Sequence, residues 1–157
     1  MGIVDYLRSL QPPDSIIALL LAIPIVIISG SLHEGAHWVV GRFFGARGSL
    51  IFLPLRGKSK LWIQSLMAVH FGDDAHRGMT RTEVRLIAAA GPAWDLIFGA
   101  ACVHFYAVLP FPVPIQAALC VAGLLIVGIT LLMNVIPRRV GNDGWNCLFA
   151  GAPSEKE

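Results

Sequence analysis

Three apolar blocks dominate this chain, and each is long enough to cross a bilayer as a helix, which takes roughly 20 residues. The first runs from Ser15 to about Val40, the second from about Val84 to Leu109 and the third from about Val113 to Ile136. Gln11-Pro12-Pro13-Asp14 ahead of the first block is a helix-start signal with Asp14 as the candidate N-cap, and Gly45 is the candidate stop. The second block ends at Pro110-Phe111-Pro112 and the third at Pro137-Arg138-Arg139. The link between them is short and uncharged, which predicts an antiparallel helix pair. Composition agrees: 55% of the residues are hydrophobic and only 14% charged, where a soluble domain carries about 25% charged residues. That excludes a disordered chain and argues against an ordinary soluble enzyme. The 157 residues suit one domain spanning 1–157, and a net charge of +2 is too small to suggest nucleic acid as a partner. The expected fold is an all-α membrane protein with three transmembrane helices.

Between the first two blocks, Ser49 to Leu55 and Leu61 to Phe71 are rich in strand formers and flank Arg56-Gly57-Lys58-Ser59-Lys60, which reads as a small β-hairpin. Gly72 to Thr82 reads as a loop, the Asp-Gly segment over 141–150 as an appendage to the third helix, and Gly151 to Glu157 as a frayed tail. A cleaved leader is not expected, because Asp5 and Asp14 outweigh Arg8 before the first block and the apolar run continues past Ser31. Lys and Arg concentrate on one side of the three spans: Arg42, Arg47, Arg56, Lys58, Lys60, Arg77, Arg81 and Arg85 lie in the first loop, and Arg138, Arg139 and Lys156 after the third span. The positive-inside rule puts that side in the cytoplasm and the N-terminus outside. The expected location is the membrane of a prokaryotic cell.

The first span contains His33-Glu34-Gly35-Ala36-His37. Residues four apart on a helix lie one turn apart on one face, so His33 and His37 can hold one Zn²⁺ while Glu34 activates water. Five residues alone are weak evidence, but three ionisable side chains in an apolar span are costly unless used. A catalytic zinc needs a third protein ligand. Downstream candidates are Glu83, the histidines His70, His76 and His104, and the aspartates Asp73, Asp74, Asp95 and Asp143. Asp143 stands out because the first and third spans run in the same direction, which puts it at the depth of the histidines. Gly141 and Gly144 let the backbone turn there, and Pro137 ends or kinks the helix before it. Glu83 remains the alternative, since other membrane zinc peptidases with this helical motif use a distant glutamate.

Three elements occur in an order that resembles the site-2 protease family of intramembrane metalloproteases. His33-Glu34-Gly35-Ala36-His37 looks like its HExxH. Ala89-Ala90-Gly91-Pro92-Ala93-Trp94-Asp95 looks like its middle-helix segment, with Asp95 where the family usually has Asn. Asn134 and Pro137 followed by Asp143-Gly144 look like its third-helix motif, with an interval one residue longer than the commonest form. The resemblance spans His33 to Gly144. It implies a three-helix core in which His33, His37 and Asp143 hold one zinc ion and Glu34 is the general base. The implied activity is hydrolysis of peptide bonds in or near transmembrane segments of other membrane proteins, with the lipid bilayer as the medium. A non-cleaving relative that binds such segments is the other reading. The chain shows no stretch long enough for the PDZ or CBS regulatory domains of some relatives.

Asn134 is the candidate for a hydrogen bond to substrate or oxyanion, and the hairpin is a candidate to pair with an extended substrate segment. Cys102, Cys120 and Cys147 form no CxxC pair and read as reduced thiols. Cys147 becomes a fourth ligand only if its segment is helical and turned inward. Cys102, Cys120 and His104 read as helix contacts, Asp73, Asp74 and His76 as a solvated loop, and Trp38, Trp62 and Trp145 as interfacial aromatics.

Overall fold

The computed structural model describes residues 2–52, 66–71, 78–136 and 143–149, without the side chains of Trp145 and Phe149. The proposed hairpin turn at 56–60, Trp62, the Asp73-Asp74-His76 loop, Pro137 and the tail lie outside the described residues.

A short helix α1 (Ile3–Ser9) precedes α2 (Pro12–Phe43), which starts three residues earlier than Asp14 as N-cap would require. Gln11 is the N-cap and makes no side-chain cap; Pro12 and Pro13 fill the first two helical positions, and Asp14 sits in the first turn. The reason is physical: proline brings a helical φ and lacks the N–H that a helix start leaves unpaired. At the other end the expected stop is present. Gly45 has φ 86°, the Ala46 N–H bonds the Gly41 carbonyl at 2.8 Å and the Gly45 N–H bonds that of Arg42 at 3.1 Å, which is a Schellman closure.

The strands β1 (Gly48–Phe52) and β2 (Met67–Phe71) pair antiparallel, with Leu50 opposite Val69. Helix α3 (Arg81–Val108) opens with a capping box: the Glu83 N–H donates to Thr80 Oγ1 at 3.3 Å, and Glu83 Oε2 accepts the Thr80 N–H at 2.7 Å. Helix α4 (Val113–Ile129) runs on into a π-helical segment (Thr130–Val135), and a short α5 (Asp143–Phe149) follows.

Helices α2, α3 and the α4–π segment, as three long apolar helices, are each able to cross a membrane. Their mutual contacts are made by small residues, with Ala18 against Ala117 and Ala118, and Ala22 against Ala122 and Ile126. Large side chains such as Ile16, Leu20, Ile97 and Leu132 point outward. That inversion suits a lipid solvent, where close backbone approach holds helices together. Gly99 and Gly123 mark the tightest crossing of α3 and α4: a Cβ on Gly123 would lie 2.7 Å from the Gly99 carbonyl oxygen. Cys102 and Cys120 are buried free thiols in this packing.

Candidate metal centre

His33 and His37 lie one turn apart on the inward face of α2, both buried. Asp143 arrives as the first residue of α5. His33 Nε2 and His37 Nε2 are 3.1 Å apart, Asp143 Oδ2 is 3.2 Å from the first and 3.4 Å from the second. The three form the one group of potential metal ligands found among the described residues.

The tautomers follow from what lies behind each ring. His37 Nδ1 is 2.7 Å from the Ile87 carbonyl oxygen, which only accepts, so Nδ1 carries the hydrogen. His33 Nδ1 is 2.7 Å from Asp95 Oδ2, likewise an acceptor. In their neutral forms the two rings would turn bare Nε2 lone pairs toward each other and toward a carboxylate oxygen. Such a set is repulsive unless a cation sits among its members. A proton links two atoms, whereas three converge here. In a tetrahedral site with zinc bonds of about 2.0–2.1 Å, ligand atoms lie about 3.3–3.4 Å apart, close to the spacings observed. The three residues could hold a metal ion between them.

Gly91 leaves the space beside the two rings open. A Cβ there would meet His37 Nε2 and would lie 2.5 Å from His33 Nε2. Pro92, the next residue, removes the N–H that would hold the Ala88 carbonyl and opens the α3 ladder at this turn. The Ile87 carbonyl that anchors His37 belongs to that same turn.

Two ties place α5. Gly144 packs on the end of the π segment, where a Cβ would strike the Val135 carbonyl. At the other end of α5, Arg85 Nη2 donates to the Leu148 carbonyl at 3.0 Å. Cys147 is on a helix, as its ligand role requires, but its thiol donates to the Arg85 carbonyl at 3.7 Å and is absent from the cluster. Burial pushes that thiol up from its ordinary range, and the Asp143 charge adds to the effect. Glu83 is spent in the Thr80 capping box, on an exposed turn.

Glu34, next to His33, lines the same cleft and accepts the Val69 N–H on Oε2 at 2.9 Å. One turn earlier, Ser31 Oγ accepts the Leu66 N–H at 2.8 Å, so two α2 side chains pin the start of β2. Trp38, read as interfacial, bonds the Gly48 carbonyl through Nε1 at 3.3 Å. The cleft has a volume of about 470 Å³ and is lined by Val69 and Phe71 of β2, by α3, and by Asn134 and Asn146.

Sequence reasoning brought together His33, Glu34, His37, Asp143 and Asn134. It missed Asn146, whose only signal was a spacing of three from Asp143 on a helix not foreseen. It also missed the side-chain partners of Asp95. That residue receives Ser29 Oγ at 3.0 Å and Thr130 Oγ1 at 2.7 Å besides His33. No family model, curated protein or solved structure matches the chain.

Proposed function

We propose that this chain is an intramembrane zinc endopeptidase of the site-2 protease type, cutting peptide bonds in or near transmembrane segments of other membrane proteins. The observation that carries the reading is the convergence of two imidazole Nε2 atoms and one carboxylate oxygen within 3.4 Å of one another, beside a glutamate in an open cleft. His33, His37 and Asp143 would hold the ion. Bound there, zinc supplies Lewis acidity, polarising a carbonyl and lowering the pKa of water toward neutrality.

Glu34 is the proton carrier. Its Oε2 is steadied by the Val69 N–H, and Oε1 has no partner among the described residues. The water that attacks the scissile carbonyl gives its proton to Glu34, which returns it to the leaving amine nitrogen. Asn134 reaches the cleft from the π segment and is the donor proposed for the substrate carbonyl. A helical substrate has its amides bonded internally and must open before cleavage. An opened segment laid in the cleft runs beside β2, which forms one wall, so pairing with that strand is the proposed mode of holding it. Arg42, Arg47, Arg81 and Arg85 flank the inner ends of α2 and α3, which supports a cytoplasmic opening, with the N-terminus outside and a prokaryotic cell membrane as the setting.

The test is zinc content together with cleavage of a panel of membrane-embedded test substrates, comparing the native chain with Glu34→Gln. The expected result is one zinc per native chain, zinc retained by the variant, and cleavage lower by about 100- to 10,000-fold, the usual span of a general base. Equal cleavage by both proteins removes Glu34 from the chemistry and with it the reading.

A further inference from the structure

Asp95 is a buried carboxylate in the middle of a span, where such a group is costly without a task. Its three partners come from two helices other than its own: Ser29 and His33 from α2, and Thr130 from the π segment after α4. It is therefore the point at which all three membrane-spanning elements meet through polar side chains. The two histidines are also supported differently. His37 leans on the backbone carbonyl of Ile87, in the turn that Pro92 loosens. His33 lies one turn deeper, where intact helices have their carbonyls bonded internally. There the acceptor behind the ring is a side chain, Asp95.

We infer that Asp95 is a positioning residue of the metal centre, acting through His33. This rests on the zinc reading of the site. Asp95 fixes the Nδ1–H tautomer, aims Nε2 at the ion and strengthens the imidazole as a ligand, as carboxylates behind metal-bound histidines do. Two neutral imidazoles and Asp143 leave a divalent ion with one uncompensated positive charge. Asp95 supplies the balancing charge on the dry side, while Glu34 faces the cleft. The Ser29 and Thr130 hydroxyls hold the carboxylate in its orientation, so ion binding and closure of the three-helix bundle become one event.

The experiment uses the full chain in detergent, stripped of metal. Zinc affinity is measured by competition with a chromophoric chelator, the metal-free and zinc-loaded melting temperatures are compared, and the visible spectrum of bound Co²⁺ is recorded. Asp95→Asn keeps a neutral acceptor of the same shape and removes the charge. The expected result is zinc affinity about 10- to 100-fold weaker, an altered Co²⁺ spectrum and a smaller zinc-induced rise in melting temperature, with little change in the metal-free protein. Thr130→Val is the second arm: it leaves Asp95 in place, removes one donor, and is expected to weaken zinc binding by a smaller factor. Unchanged zinc affinity and Co²⁺ spectrum in both variants, with a lower metal-free melting temperature, overturn the inference and make Asp95 a helix contact alone. A native chain that takes up neither ion overturns the zinc reading itself, and this inference with it.

Discussion

Gly91 shows how much a single residue can decide. It sits where α3 passes over the two imidazoles, and a Cβ there would run into the Nε2 atoms of both His33 and His37. Gly91→Ala improves intrinsic helix propensity by about 1 kcal/mol, so propensity does not predict damage. The expected outcome is the opposite of a propensity effect: loss of zinc from purified protein, by metal analysis, with a lower metal-free melting temperature, because the Cβ also displaces the two buried imidazoles. Retention of a full zinc equivalent by Gly91→Ala contradicts the placement of the ion between α2 and α3. The histidine pair and Glu34 were legible in the sequence because a spacing of four has one meaning on a helix. Gly91 was legible only through a resemblance. The Ile87 carbonyl was not legible at all, since a backbone acceptor leaves no mark on residue type. Asp95 looked like a departure from a motif, and its partners became visible only when Ser29 and Thr130 were placed beside it.

The elements repeat the contrast. The three spans were legible because apolar length is a one-dimensional property, and the hairpin because Leu50 and Val69 lie in runs of strand formers. The Thr80 capping box carries its signal, Thr followed three residues later by Glu, and that pairing removes Glu83, the alternative third ligand, from the site. The π turn at Thr130–Val135 and the helical state of α5 had no local signature, because tertiary contacts set both. Helix α5 has seven residues and is too short to be stable on its own. Its place depends on the Gly144 seat and on the Arg85 hydrogen bond to Leu148. Arg85→Ala removes a charged donor from a helix C-terminus, an interaction of about 0.3–1 kcal/mol when exposed. Zinc affinity is expected to fall by roughly 2- to 5-fold on that scale, with Glu34 chemistry otherwise intact. Gly144→Ala is expected to do far more, because backbone atoms of Val135 and Asn134 cannot step aside as a flexible side chain can. Chelator competition on both variants ranks the two ties, and the reverse order refutes this account of α5.

At the scale of the molecule, the candidate metal centre is an outcome of helix packing. His33 and His37 belong to α2, Gly91, Ile87 and Asp95 to α3, and Thr130 and Asn134 to the extension of α4. No two of these helices hold the site without the third. Lipid tails are as apolar as leucine, so the bundle has no hydrophobic drive to close on itself and relies on small-residue contacts and buried hydrogen bonds. The Gly99–Gly123 crossing is the narrowest of those contacts and lies on the side of Asp95 away from the histidines. Gly123→Leu drives a side chain into the Gly99 carbonyl and the Cys102 Cβ, overpacking that typically costs about 1–3 kcal/mol. It touches neither ligand nor cleft. Because α4 carries Thr130 and leads toward Asp143, displacing it is expected to lower zinc affinity by roughly tenfold per 1.4 kcal/mol lost from the bound state. The same substitution at Gly128, where a Cβ meets nothing within 4 Å, is the control and is expected to leave zinc affinity unchanged. If Gly123→Leu lowers the melting temperature and still binds zinc like the native chain, the centre is built from α2 and α3 alone, and the α4 extension supplies Asp143 through a tether rather than through packing.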